Sequence, residues 1–109
     1  MLRWVLVSLL AAAVAAPAAW AATTDRVVMT DLKFALSKKT VPRGAVTFRL
    51  RNNGELTHDF KIAGKKSRTL LPGQSGTLKV IFRKPGRYAY ICTIPGHAAV
   101  GMKGVLVVK

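Results

Sequence analysis

The chain has 109 residues, with 18 Lys and Arg against four Asp and Glu, and a formal net charge of +14. This length is enough for one small domain with a single core and excludes a second lobe. Such an excess of positive charge indicates an acidic partner (a protein surface, an anionic lipid face or a nucleic acid), or a solvated surface that only aids solubility.

The first 21 residues, "MLRWVLVSLLAAAVAAPAAWA", have the order typical of a secretory signal peptide: a basic residue, an apolar run and then small residues. The ending "AWA" fits the A-x-A cleavage pattern, so we expect cleavage after Ala21 and export to the periplasm as a soluble protein. An uncleaved membrane anchor is the alternative, because the apolar run is only just long enough to span a bilayer. Pro17 and the A-x-A ending argue against the anchor.

The mature domain is then expected to comprise residues 22–109, with 17 basic residues, four acidic residues and a net charge of +13. Export makes nucleic acid the least suitable of the three acidic partners. The protein is expected to be monomeric and, once the signal is removed, not to span the membrane.

After residue 22 the sequence consists of short alternating runs separated by turn residues, without a sustained helical period. The predicted strands, in chain order, are 26–36 with a polar interruption, 45–52, 58–62, 76–82, 87–92 and 104–109. The run 87–92, "RYAYIC", is apolar on both sides and is therefore predicted to be central in its sheet. Many short strands with Gly and Pro between them predict an all-β fold, an antiparallel Greek-key β-sandwich or barrel.

Two of these runs show which side chains share a face. In "AVTFRLRN" (45–52), Val46, Phe48 and Leu50 alternate with polar residues and are predicted to face the core. In "HDFKI" (58–62), the alternation places His58 on the apolar face with Phe60 and Ile62 and places Asp59 on the opposite face.

The segment "YICTIPGHAAVGM" (90–102) contains the only cysteine, one of two histidines and one of three methionines, with Cys92, His97 and Met102 five residues apart. Each residue alone has an ordinary interpretation: Cys92 as an inert buried thiol, His97 as a turn residue facing water, and Met102 as core filler. His58 alone is most simply a core or near-surface histidine.

The four residues together predict a metal site. One loop across two adjacent strand ends can converge a thiolate, an imidazole and a thioether, and a distant strand then supplies His58. Two imidazoles and a thiolate, with a weak axial thioether, are the donor set of a blue-copper electron-transfer site. Zinc would accept Cys and His but rarely recruits methionine, so we expect copper.

The stretch "YICTIPGHAAVGMKG" resembles the carboxy-terminal ligand loop of the cupredoxins, the plastocyanin/azurin-like type 1 blue copper proteins. "NNGELTHDF" resembles the segment that carries their first histidine, and "PGRYAYIC" resembles the strand that enters their cysteine. The resemblance implies one type 1 copper with His58, Cys92 and His97 as equatorial ligands and Met102 as the axial ligand.

Two features depart from the common cupredoxin pattern. Asp59 follows the first histidine, where these proteins commonly have an asparagine that braces the ligand loop. A carboxylate there would disfavour Cu(I) unless it is protonated or turned away. Thr57 and the long "HAAVGM" spacing predict a plastocyanin-like site with four ligands rather than a site with five.

We therefore expect an exported electron carrier, with His97 as the electron port within small apolar residues. Lys and Arg would steer it to an acidic redox protein such as a c-type cytochrome or an oxidase. Catalysis is not expected, because additional copper sites would need further histidines. The alternatives are a periplasmic copper-binding carrier or copper-tolerance protein, and a basic β domain that binds an anionic partner without metal.

Overall fold

The structure is a computed structural model that describes residue 3 and residues 22–109. Apart from Arg3, the predicted signal peptide of residues 1–21 lies outside the described residues, so its cleavage after Ala21 stays a prediction. Within the described part of the chain, no helix is both long enough and apolar enough to cross a membrane.

Nine strands in two sheets form the described part of the domain. The strands are β1 (Thr23–Thr30), β2 (Lys33–Leu36), β3 (Thr40–Val41), β4 (Gly44–Asn52), β5 (Lys61–Ile62), β6 (Lys65–Lys66), β7 (Ser75–Phe82), β8 (Gly86–Ile91) and β9 (Lys103–Val108). The sheet orders are β2-β1-β4-β7 and β3-β9-β8-β5-β6. The predicted all-β sandwich is confirmed. Both sheets are mixed rather than purely antiparallel, because β1 runs parallel to β4 and β3 runs parallel to β9.

The core lies between the inner faces of the two sheets. In β4 the predicted alternation is confirmed, since Val46, Phe48 and Leu50 are buried while Arg49 and Arg51 are exposed. Burying these apolar side chains is the main favourable contribution to the stability of such a sandwich.

An aromatic cluster occupies the middle of this core. The ring of Phe60 lies 5.3 Å from that of Phe34, 5.1 Å from that of Phe48 and 5.4 Å from that of Tyr90 between centroids. Phe60 lies two residues after His58 and Tyr90 two residues before Cys92, and all four are buried, so the cluster packs beneath that end of the sandwich.

Three strand predictions differ from the structure. The segment 26–36 is two strands, because the chain reverses at Asp31 and Leu32, where Leu32 has a φ of 69°. The segment 58–62 is a strand only over Lys61–Ile62, because His58 pairs with Leu70 through an isolated bridge. β3 and β6 were not predicted, since two residues are too few to show alternation.

The central position of β8 is confirmed and places the end of the site. β8 lies between β9 and β5, and its antiparallel pairing with β9 runs from Gly86 opposite Val108 to Ile91 opposite Lys103. Cys92 directly follows β8 and Met102 directly precedes β9, so this pairing brings the two residues to the same edge of the sandwich.

Candidate metal centre

The loop from Cys92 to Met102 is closed by its own backbone hydrogen bonds. The N–H of Cys92 donates to the carbonyl of Met102 at 3.1 Å, and the N–H of Met102 donates to the carbonyl of His97 at 3.1 Å. A short 3-10 helix at Ala98–Val100 fills the interval, and Gly101 ends it with a φ of 116°, a conformation that favours glycine. The loop therefore holds three of the predicted ligands within one closed turn.

His58 approaches from the other side of the site, on the segment that follows β4. It exchanges backbone hydrogen bonds with Leu70 at 3.1 and 2.8 Å, and its side chain is fully buried. Asn52 shapes the connecting segment, since its buried side-chain amide donates to the carbonyls of Leu56 and Leu70 and accepts from the N–H of Gly54. These bonds fix the position from which the imidazole enters the site.

Three donor atoms form a compact triangle. Nδ1 of His58 lies 3.2 Å from Nδ1 of His97, and Sγ of Cys92 lies 4.0 Å from the former and 3.6 Å from the latter. Those separations define a point inside the triangle about 2.1 Å from all three atoms. Metal–nitrogen and metal–sulfur bonds of this kind are about 2.0–2.3 Å long. The residues present therefore fit a metal ion in a trigonal arrangement.

Met102 completes the predicted donor set. Its side chain is fully buried and lies close to His58, Cys92 and His97. A thioether is a weak, soft donor that suits copper and not zinc. The structure thus brings together all four residues that the sequence predicts as ligands, and the His58, Cys92 and His97 group is the only such cluster found among the described residues.

The thiol of Cys92 is held in a buried but hydrogen-bonded position. Burial raises the pKa of the Cys92 thiol above its ordinary value, while the backbone N–H groups of Asp59 and Ile94 lower it in part, and the Asp59 carboxylate raises it. Hydrogen bonds to sulfur favour the thiolate form, but burial has the larger effect here, and the pKa is raised overall. Without metal the residue is therefore a thiol at neutral pH, and a bound metal ion must displace its proton.

Asp59 is buried, although the alternation places it on the face opposite the apolar residues Phe60 and Ile62. The regular strand starts only at Lys61, and before it the Asp59 side chain turns toward the ligand loop. Its carboxylate accepts hydrogen bonds from the Thr93 N–H, at 2.6 Å, and from the Thr93 hydroxyl. Asp59 thus braces the loop next to Cys92. The Asp59 carboxylate is close enough to the Cys92 thiol to raise its pKa, so it is not turned away from the site.

Asp31 is a contact of the site that the sequence reasoning missed. Its Oδ1 lies 3.0 Å from Nε2 of the buried His58. The pKa of the Asp31 carboxyl is held below its usual range by three hydrogen bonds. The largest effect comes from the N–H of Glu55, followed by the N–H of Leu56 and the side chain of His58. The only signal in the sequence was the polar interruption of the run 26–36, which gave no indication of a contact with position 58.

Exposed apolar residues lie on or next to the segments that carry the proposed ligands. His97 is half-buried, and Val100, three residues after it, is 63% exposed. Leu56 and Leu71 are 46% and 54% exposed, and they neighbour the segments that carry His58 and its bridge partner Leu70. We call Leu56, Leu71 and Val100 the apolar rim.

The chain is similar to known proteins. The family model described as a cupredoxin-like domain matches residues 2–108. The copper-resistant cuproprotein CopI of Rubrivivax gelatinosus is 33% identical over 115 residues, which cover 84% of this chain and 70% of that protein. The chain belongs to the cupredoxin family.

Two auracyanins are also similar to this cupredoxin. Auracyanin-B of Chloroflexus aurantiacus is 53% identical over 36 residues, which cover 33% of this chain and only 15% of that protein. The structure of dithionite-reduced auracyanin from Roseiflexus castenholzii superposes with a TM-score of 0.72 at 26% identity, over 80% of this chain and 97% of that chain. The predicted copper cofactor is confirmed: as a cupredoxin the protein takes one type 1 copper, and the donor triangle fits it.

Proposed function

We propose that this cupredoxin is an exported electron carrier in which His58, Cys92 and His97 are the equatorial copper ligands and Met102 is the axial ligand. The donor triangle, with a buried thioether beside it, carries the proposal. When bound, the copper would accept and release single electrons by cycling between Cu(II) and Cu(I).

The protein part of this function is to keep the ligands still. His58 is fixed by its two backbone bonds to Leu70, and the ligand loop is closed through the bond between Cys92 and Met102. The Asp59 side chain ties the loop to the His58 segment through Thr93. Donors held on both sides of the site in this way favour similar geometries for the two copper states, which suits rapid electron transfer.

His97 is the proposed electron port. Of the four proposed ligands, His58, Cys92 and Met102 are buried and His97 alone is half-buried. The apolar rim beside it would exclude water from a brief contact with a redox partner, and weak redox encounters use small interfaces.

The charge distribution supports an acidic partner. Of the four acidic residues, Asp25 and Asp59 are buried and Asp31 is bound to His58, which leaves Glu55 as the freely exposed one. Among the described residues, no Lys or Arg forms an ion pair with a carboxylate. The basic surface is therefore nearly uncompensated and would steer the carrier to an acidic redox protein such as a c-type cytochrome or an oxidase.

Electron transfer needs no substrate pocket, and we propose that the protein is not an enzyme. Both histidines of the chain are used by the proposed copper site, so none remains to hold a further copper. Periplasmic export, by a signal peptide cleaved after Ala21, belongs to the same proposal.

The rate of electron transfer to an oxidised c-type cytochrome tests this function directly. We expect the rate to fall as ionic strength rises, because salt screens attraction between a basic carrier and an acidic partner. Val100→Glu should slow the reaction by placing a charge on the apolar rim. Val105→Glu, on β9 and 39% exposed, makes the same change away from the ligand loop and should leave the rate near that of the wild type. Equal rates in both variants would contradict docking at the rim.

Copper tolerance is the second candidate, and the similarity to CopI favours it. A protein that delivers copper commonly presents exchangeable thioethers or imidazoles at its surface. Both described methionines, Met29 and Met102, are fully buried, which favours electron transfer over delivery. Transfer of copper from the loaded protein to an acceptor apoprotein, faster than spontaneous dissociation, would instead support delivery.

A further inference from the structure

We propose that Asp31 is a positioning residue for the copper site: its carboxylate holds His58 in the Nε2–H form, so that Nδ1 presents a lone pair to copper, and it lowers the reduction potential. The inference rests on the proposed ligation of copper by His58. It adds a fifth side chain to the site, on the far side of the imidazole from the metal position.

The carboxylate of Asp31 is fixed by three donors. Its Oδ1 accepts from the N–H of Glu55 at 3.1 Å and from that of Leu56 at 3.0 Å, and it lies 3.0 Å from Nε2 of His58. Its Oδ2 lies 3.0 Å from the same Glu55 N–H. Two backbone donors therefore set the orientation of the carboxylate, and the orientation of the carboxylate sets that of the imidazole.

The loop before His58 is shaped around this carboxylate. A Cβ at Gly54 would overlap Oδ1 of Asp31 and lie 3.0 Å from its Cγ, so only glycine allows so close an approach. The loop is also tied to β1, which Asp31 directly follows, since the N–H of Asn53 donates to the carbonyl of Met29 at 2.8 Å. Such a fit indicates a built contact rather than a chance surface pair.

The tautomer follows from the chemistry of the pair. An ionised carboxylate can only accept hydrogen bonds, so the Nε2 of His58 must carry the hydrogen. The Nδ1 of a neutral His58 then has a lone pair directed at Cys92 and His97, which lie 4.0 and 3.2 Å away. With the opposite tautomer, the N–H of His58 would point at the metal position and Nε2 would face a carboxylate without a proton between them.

The same contact affects the copper. A carboxylate behind a ligating imidazole fixes the ring and raises its basicity, and the loss of such a partner typically lowers metal affinity by about 10–100-fold. A negative charge at this position also stabilises Cu(II) more than Cu(I), which lowers the potential. The neutral backbone donors on the other side of Asp31 do not cancel that charge.

Three variants separate these effects. Asp31→Ala removes the acceptor, and Asp31→Asn keeps an acceptor oxygen but removes the charge. Glu55→Gln is the control: it removes the charge of a nearby side chain that is exposed and lies outside the site. We expect Cu(II) affinity to fall about 10–100-fold in Asp31→Ala, to fall by less in Asp31→Asn, which keeps an acceptor, and to stay close to that of the wild type in Glu55→Gln. The potential should rise in Asp31→Asn, and a tenfold shift in the preference for Cu(II) over Cu(I) corresponds to about 59 mV. It should not rise in Glu55→Gln.

Nitrogen NMR of the metal-free protein provides a readout that does not need copper. We expect the wild type and Glu55→Gln to show His58 with hydrogen on Nε2 and a slowly exchanging N–H signal. Asp31→Ala should lose that signal while circular dichroism shows an intact β fold; if it does not fold, Asp31→Asn decides through its potential. Hydrogen on Nδ1 of His58 in the wild type, or equal potentials in Asp31→Asn and the wild type, would overturn the inference. Failure of the wild type to bind copper would instead overturn the proposed function.

Discussion

Gly54→Ala tests how closely the loop and the site are coupled, without changing any side chain that contacts His58. The new Cβ would lie 3.0 Å from Cγ of Asp31 and 3.1 Å from its backbone nitrogen, and it would overlap Oδ1. Non-bonded atoms ordinarily lie about 3.5–4.0 Å apart, so the carboxylate must move by about 1 Å. The bond from Oδ1 to His58, now 3.0 Å, would lengthen to about 4 Å and cease to be a hydrogen bond.

Titration with Cu(II) against a competing chelator measures the consequence. We expect the affinity of Gly54→Ala to fall about 10–100-fold, as for loss of the partner of a ligating histidine. Glu55→Ala is the matched control, because it changes the next residue of the loop and keeps the backbone N–H that Asp31 uses. If Gly54→Ala binds Cu(II) as tightly as Glu55→Ala and keeps the slow His58 N–H signal, the reasoning about the Asp31 contact is refuted.

Three further predictions concern the surroundings of the site. Gly104→Ala should lower the free energy of unfolding by about 1–3 kcal/mol in a denaturant titration, because its Cβ would lie 2.7 Å from Cε2 of Tyr90; unchanged stability would contradict this close contact. Thr93→Val should destabilise the fold by about 1–3 kcal/mol, since buried Asp59 loses the hydroxyl donor; Thr93→Ser is the control and should remain near the wild type. Burial raises the pKa of Asp25, so the stability it contributes is present below its ordinary pKa of 3.8 and is lost as pH rises through the raised value. Asp25→Asn should therefore gain thermal stability relative to the wild type as pH rises above the ordinary pKa of 3.8, and a constant difference would be inconsistent with that sign.

The sequence predicts the parts of the site that are local in the chain. Cys92, His97 and Met102 lie within one loop, and their types and spacing are readable without any knowledge of the fold. His58 was identified as the remaining imidazole, since the chain has only two histidines. The alternation of β4 was predicted because it is a long strand with one buried face.

The parts that were missed depend on contacts between distant segments. Asp31 lies 27 residues before His58, and their contact exists only because a hairpin tip and a loop meet at one edge of the sandwich. Asp59 was placed by an alternation that assumed a strand, while the regular strand begins two residues later. The parallel pairs of β1 with β4 and of β3 with β9 follow from the order of strands in space, which alternation does not specify.

The proposed copper ligation is tested most directly by titrating the purified domain of residues 22–109 with Cu(II) while recording its visible and EPR spectra. We predict that one equivalent of copper produces an intense thiolate-to-copper band and a type 1 EPR signal in the wild type, and that both are absent in Cys92→Ser. A protein that stays colourless with copper and retains a free, titratable Cys92 thiol would contradict the central claim.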